Sequence, residues 1–426
     1  MNFKKIYIVI ILLLFIFTSF SFANIDENEQ IDVTELKQEI VETSVKNTDM
    51  PDIDSRSAIV IDRTTKKILY GKNEYDVRKM ASTTKIMTAI IVIENCNLYD
   101  TVIISKKAAN TGGSTLGINE GDKITVCDLL YGLLLKSGND TAVALAEYIG
   151  GSIEDFADMM NQKAHALNLT NTHFVTPHGL DNDNHYTTAY DLAILTDYAL
   201  NNQTFLNLVQ TKKYVVTING VPKEISNTNE LLGNLNGVYG VKTGFTNGAN
   251  RCLVTSCKRD NLDVICVVLG ADTKKFRTQD SIKLLEYVFS TYQMIDLDEL
   301  INNEFNNWKS DNLSKFKINK GINTELNLEI KDFNYKLYPV KKDTIENITT
   351  SINCNYNLDA PIQANCIVGN ITINIGNNDV LKYNIMNTNN IEKKNCFDYF
   401  FEIISNFFKY LTITYWHVII IKQLRE

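Results

Sequence analysis

Proline is scarce in this chain, 5 of 426 residues beside 20 glycines. That scarcity excludes collagen-like and Pro-rich low-complexity designs. No segment recurs at a fixed period, which excludes solenoids and propellers. An excess of positive charge is also missing. The formal net charge is -8 at pH 7, from 42 Lys and Arg against 50 Asp and Glu. Such a chain repels nucleic-acid phosphates, so no nucleic-acid partner is expected. The 5 histidines lack metal-ligand spacing and the 8 cysteines contain no CxxC pair, so neither a metal nor a cofactor is expected. Cys96, Cys127, Cys252, Cys257, Cys266, Cys354, Cys366 and Cys396 sit mostly in apolar strand or helix patterns. They read as buried small hydrophobes rather than disulfide partners. Apolar residues are not lacking: 44% of the chain is hydrophobic, enough for packed cores, and the length suggests about two or three domains.

The N-terminus carries Lys4 and Lys5, then an almost unbroken apolar run from Ile6 to Phe17, then small residues ending at Ala23. That is the order of a secretory signal peptide, residues 1–23. Left uncleaved, it would be an N-terminal anchor. Either way the rest of the chain is expected to be exported, to the extracytoplasmic face of the membrane. Residues 24–54 are polar and acidic and read as a tether.

From 55 to 292 the pattern runs strands, many helices, strands, helix. Residues 58–62 and 68–70 read as a hairpin. Helical spacing covers 82–94, 126–135, 140–149, 153–167 and 188–200, with Thr125 and Ser152 placed as N-caps. Strands follow at 238–243, 251–257 and 262–269, then a helix over 278–292. This is an α+β order, with helices segregated in sequence from the sheet. Residues 300–388 alternate in short Ile-, Asn- and Thr-rich segments and read as an all-β domain. In 396–426, Phe397, Phe400, Phe401, Ile404, Phe407, Phe408 and Leu411 recur at helical spacing, with Asp398, Glu402 and Lys409 on the other face. That pattern suits a helix lying in a membrane interface. A helix packed on the β domain is the alternative.

Three short motifs carry chemistry. Ser82-Thr-Thr-Lys85 opens a helix, and one turn puts both side chains on one face. A serine hydroxyl needs a base to become a nucleophile. A lysine serves only if burial or nearby positive charge lowers its pKa. Ser137-Gly-Asn139 offers a hydroxyl and an amide in a tight turn, able to pass a proton and hold a carbonyl. Taken by itself it reads as a helix C-cap followed by an N-cap. Lys242-Thr243-Gly244 lies on a strand. A second lysine would depress the first, Thr243 can donate to a carboxylate, and Gly244 lets a substrate backbone approach the strand edge.

In this order the motifs are those of penicillin-recognising serine enzymes, and the chain resembles the serine D-alanyl-D-alanine carboxypeptidases, the low-molecular-mass penicillin-binding proteins. The likeness extends to Thr-Gly-Gly-Ser-Thr-Leu-Gly-Ile118, to 137–147, to 171–181, to 185–191 and to 241–247. It is strong over roughly 55–290. The resemblance implies a β-lactamase/DD-peptidase-like fold, an antiparallel sheet flanked by a helical cluster. It implies that Ser82 attacks the peptide bond between two D-alanines, that Lys85 accepts its proton and that Ser137 relays one to the departing D-alanine. Asn139 and Lys242 would orient the peptide. Gly244 would border it. The backbone N–H groups of Ser82 and Phe245 would form the oxyanion hole, and Thr243 and Arg277 would bind the terminal carboxylate. The implied partners are a peptidoglycan stem peptide ending in D-Ala-D-Ala, β-lactams as covalent inhibitors, and a membrane surface through the C-terminal helix. A β-lactamase shares the motifs, but no glutamate falls between Glu154 and Glu224, where a class A deacylating loop would lie. A transpeptidase and a non-catalytic wall-binding protein remain as alternatives.

Overall fold

The computed structural model describes residues 30–44, 50–331, 335–376 and 379–423. The expected signal peptide, residues 1–23, lies outside them. The chain divides into two compact units, with the boundary between Tyr292 and Gln293.

The first unit is built on an antiparallel sheet of five strands: β1 Ser57–Asp62, β2 Ile68–Lys72, β3 Val238–Thr246, β4 Asn250–Arg259 and β5 Leu262–Ala271. Their spatial order is β2-β1-β5-β4-β3. All six residues of β1 are buried, as are nine of the ten in β5. A strand buried at successive positions must be covered on both faces. Helices Ala189–Leu200 and Lys274–Thr291 both pack on β5. β3 is at the sheet's edge, which leaves one side of its backbone unclaimed by the sheet.

The helical cluster surrounds Lys85–Asn95, whose Ile86, Met87, Ile90 and Ile91 are buried with Leu129, Leu133 and Val143. Thr125 and Ser152 cap the helices Val126–Leu134 and Ile153–Ala166 as the sequence predicts. The Thr125 hydroxyl accepts from Asp128 N at 3.1 Å and the Ser152 hydroxyl accepts from Asp155 N at 2.9 Å.

Four expectations need correcting. The tether 24–54 contains a helix, Val33–Ser44, with Val33, Leu36 and Ile40 buried and Lys37 paired to Glu286 at 3.5 Å. Those three apolar residues form one narrow helical stripe, too thin to stand out from an acidic background. The helix placed at 278–292 begins at Lys274, where the Thr273 hydroxyl accepts from Phe276 N. The domain expected as all-β opens with a helix, Leu297–Asn312, because Leu297, Ile301 and Phe305 share one face. The cysteines divide: Cys252, Cys257 and Cys266 are buried in the sheet, Cys96, Cys127, Cys354 and Cys366 are half-buried, and Cys396 is exposed.

In the second unit that helix lies against an antiparallel sheet ordered Leu328–Lys331, Asp379–Asn387, Cys366–Ile375, Thr349–Cys354. Leu297 and Ile301 pack with Ile371 and Ile373, and Phe305 packs with Leu328 and Ile385. The final helix, Cys396–Gln423, starts at Asn395, whose side chain accepts from Phe397 N and Asp398 N at 2.8 and 3.1 Å. Phe397, Phe400, Phe401, Phe407, Phe408 and Trp416 are all exposed. Among the described residues no helix is long and apolar enough to cross a membrane.

Candidate active site

The turn carrying Ser82 is tighter than its spacing suggests. Ala81–Thr84 is a 3-10 turn, and the α-helix begins only at Lys85. In a 3-10 turn the side chains at i and i+3 eclipse. Ser82 and Lys85 therefore stack, with Lys85 Nζ 2.8 Å from Ser82 Oγ. The turn is held from within: the Thr83 hydroxyl donates to Met80 O at 2.6 Å and the Thr84 hydroxyl to Ala81 O at 2.8 Å. It is held from outside by Gly179, whose φ of +85° leaves no room for a Cβ against the Ala81 carbonyl.

Lys85 is fully buried and has two further contacts, donating to Asn139 Oδ1 at 2.7 Å and to His178 O at 3.0 Å. Both are pure acceptors. A neutral amine has two N–H bonds and one lone pair. With both N–H bonds committed to carbonyl oxygens, the lone pair is left for the Ser82 hydroxyl proton. Burial, reinforced by the Lys242 charge, pulls the Lys85 pKa well below its ordinary value, while Asp140 partly opposes the shift. Burial and the Arg277 charge likewise pull Lys242 down to about 7. The depression expected of the second lysine on the first is present.

Asn139 is not a cap. It is the first residue of helix Asn139–Gly150, and Gly138 stands at the cap position. Its side chain instead bridges Lys85 and Gly112 O, the latter at 2.8 Å. Ser137 adopts a left-handed φ of 61°, rare for a residue with a side chain, and lines the cleft. Such an outlier is commonest where structure serves a site.

β3 supplies the opposite wall. Thr243, Gly244 and Phe245 line the cleft together with Ser82, Ser137 and Arg277, around a volume of about 710 Å³, ample for a peptide terminus. A Cβ at Gly244 would stand 3.2 Å from Ser82 N, Met80 O and the Ala81 methyl. Glycine here lets the edge strand press against the turn that carries Ser82. Lys242 Nζ donates to Thr243 O at 3.0 Å, and the Thr243 and Thr228 hydroxyls are 2.7 Å apart. Arg277 is buried and paired with Glu230.

Of the nine residues expected from the sequence, Ser82, Ser137, Thr243, Gly244, Phe245 and Arg277 line the cleft; Lys85 and Asn139 join it through hydrogen bonds to Ser82 and to each other, and Lys242 is buried beside Thr243. His178 contributes its backbone carbonyl rather than its ring. Three residues in or beside the cleft escaped the sequence reading. Asp140 accepts from Leu116 N at 2.9 Å and Gly117 N at 2.8 Å, pinning the 112–118 loop beside Asn139. The Arg251 guanidinium lies over the Phe245 ring at 3.7 Å, opposite it in the strand register. Glu230 stands 47 residues from Arg277. Asp140 could have been found from its place beside Asn139; Glu230 and Arg251 carry no local signal.

The D-alanyl-D-alanine carboxypeptidase family model matches residues 43–273, and that of the penicillin-binding protein 5 C-terminal domain matches 309–393. The D-alanyl-D-alanine carboxypeptidase DacF of Bacillus subtilis is 34% identical over 326 residues, 75% of this chain and 81% of its own. DacD of Escherichia coli is 36% identical over 270 residues, 60% of this chain and 69% of its own. Among solved structures, penicillin binding protein 5 from Haemophilus influenzae matches at a TM-score of 0.66 and 26% identity, over 81% of this chain and 99% of that one. The Streptomyces K15 DD-transpeptidase matches at 0.55 and 35% identity, over 57% of this chain and 99% of that one. The catalytic unit and the β domain each find their counterpart, and the chain belongs to the S11 family of D-alanyl-D-alanine carboxypeptidases.

Proposed function

We propose that this carboxypeptidase trims the terminal D-alanine from peptidoglycan stem pentapeptides through an acyl-enzyme on Ser82. The observation that carries this reading is the Lys85 amine, buried on two carbonyl acceptors and 2.8 Å from Ser82 Oγ. Ser82 Oγ attacks the carbonyl carbon of the penultimate D-alanine while its proton passes to Lys85. The oxyanion is received by the backbone N–H groups of Ser82 and Phe245, on the two walls that Gly244 brings together. Ser137 relays a proton to the departing amine, the C–N bond breaks, and D-alanine leaves. Water then cleaves the ester and returns the proton. Thr243 and Arg277 receive the terminal carboxylate, and Asn139 and Lys242 orient the peptide. A penicillin would acylate Ser82 by the same attack and stay bound for many minutes, as no deacylating loop glutamate precedes Glu224.

The test is D-alanine release from diacetyl-Lys-D-Ala-D-Ala, with Ser82→Ala as control. Release lost in the variant supports the reading; equal release by both proteins sinks it. A second reading, transfer of the acyl group to an amine, has one support: the similar Streptomyces K15 protein is titled a DD-transpeptidase. Products formed with added amino-acid acceptors separate the two.

Export through residues 1–23 and attachment to the membrane surface through 396–426 belong to the same proposal. The exposed phenylalanines of the last helix support the attachment. Removal of 396–426 should free the mature protein from vesicles and leave D-alanine release intact; equal partition of both forms would contradict it.

A further inference from the structure

Glu230 lines the cleft yet belongs to none of the three motifs. Its Oε1 accepts from Arg277 Nη2 and from the Thr278 hydroxyl. The pair is well enclosed, the side chains being 4% exposed for Arg277 and 13% for Glu230. Burial pushes the Glu230 carboxyl up, but the Arg277 charge and the Thr278 hydrogen bond bring it below its ordinary value. It is an anion at neutral pH. Arg277 Nε is buried with no hydrogen-bond partner among the described residues. One part of the guanidinium is therefore committed to Glu230, and Nε is shut away from solvent, as is Glu230 Oε2.

A substrate carboxylate arriving beside Thr243 and Arg277 meets a cation that this chain has already partly neutralised. Two carboxylates then share one guanidinium, and like charges at such range repel. Lys274 and Arg251 line the same cleft, so the pocket keeps a cationic balance and still attracts the ligand.

We propose that Glu230 is the internal counter-ion of the carboxylate pocket: its hydrogen bonds hold Arg277 in position, and its charge weakens the grip on carboxylate-terminated ligands, substrate and released D-alanine alike. This rests on the reading of Arg277 as a carboxylate partner. The gain is turnover: a pocket that held the terminal carboxylate with an unopposed arginine would also retain the D-alanine it had just cut off. Glu230 is a positioning residue, since it acts through Arg277.

Position and charge separate on substitution. Glu230→Gln keeps the oxygen that accepts from Arg277 and Thr278 and removes the charge. Glu230→Ala removes both. KM is to be measured for diacetyl-Lys-D-Ala-D-Ala and for the same peptide ending in a C-terminal amide, with inhibition by free D-alanine, on the full mature chain. In Glu230→Gln the acid-to-amide KM ratio should fall ~3- to 10-fold, with tighter inhibition by D-alanine. In Glu230→Ala the acid peptide's KM should rise, because Arg277 loses its anchor. An acid-to-amide ratio that is unchanged or higher in Glu230→Gln overturns the charge half of the proposal. An acid KM in Glu230→Ala no higher than in Glu230→Gln overturns the positioning half, and an acid KM below wild type in Glu230→Ala overturns it alone should the Gln variant not fold. The underlying reading fails separately, if wild type releases no D-alanine or if Arg277→Ala leaves the acid-to-amide ratio as it was.

Discussion

The two units treat polar side chains in opposite ways. The catalytic unit buries Lys85, Lys242, Arg251, Arg277, His178, His185 and Asp140, whereas among the described residues of the second unit Asn387 alone is buried and polar. Taking a charge out of water costs several kcal/mol unless partners compensate. The first unit bears that cost at the cleft and elsewhere: Asp62, Asp128, Asp191 and Asp280 are also buried, each accepting from a backbone N–H group. The second unit spends its interior on Ile, Leu and Phe. The difference teaches how two kinds of buried charge are told apart: buried carboxylates paired with backbone N–H groups pin loops, whereas the buried amines Lys85 and Lys242, with depressed pKa values, mark the cleft.

The sharpest break of this contrast is at the base. Lys85→Ala should lower kcat/KM for D-alanine release at least ~10²- to 10⁴-fold, the usual worth of a positioned general base, and slow penicillin labelling of Ser82 in parallel. Labelling at the wild-type rate would remove Lys85 from its role. In the unmodified protein, kcat/KM should fall on the acid side as the depressed Lys85 amine takes up a proton.

Next comes the turn that holds Ser82. Gly179→Ala puts a methyl against the Ala81 carbonyl at a φ of +85°. A loss of roughly 2–4 kcal/mol in urea unfolding is expected, with D-alanine release falling as well. A variant of normal stability would show that the turn yields.

The buried histidine beside the turn gives a pH signature. His185 Nδ1 accepts from Val175 N at 3.0 Å, and its Nε2 lies 2.8 Å from the Thr84 hydroxyl, which itself donates to Ala81 O. That chain fixes a neutral ring with the proton on Nε2. Burial, and then the His173 charge, lower it from 6.5 to about 4. In that window the unfolded chain binds a proton that the folded chain refuses, so stability falls as pH falls from about 6.5 to 4. The slope from this ring approaches ~1.4 kcal/mol per pH unit. Subtracting the curve for His185→Gln should remove it; identical slopes would mean the ring protonates in place.

The smallest effect tests the scaffold. Asn387 Oδ1 accepts from Asn327 N at 3.0 Å and its amide donates to Asn389 O at 2.6 Å. Asn387→Ala should cost ~1–3 kcal/mol in the second unit, with kcat/KM for D-alanine release unchanged. A loss of activity would show that the two units are not separable in function.

Most of the fold was legible where signals are local. The apolar runs of β1 and β5, the caps at Thr125 and Ser152, and the three motifs each lie within a few residues, and short-range spacing is what a sequence displays. The thin stripe Val33–Leu36–Ile40 and the helix opening the second unit were hidden because neither pattern outweighs its polar surroundings. The sequence alone determined which groups exist: a serine three residues before a lysine, a second lysine before a glycine, and an excess of acidic over basic residues. Only the tertiary structure decided what those groups are. It eclipsed Ser82 and Lys85 in a 3-10 turn, made Asn139 a ligand of Lys85 rather than a cap, and set Glu230 against Arg277 across 47 residues. Charge states follow from burial and from neighbours in space, and neither is written in the spacing of a chain.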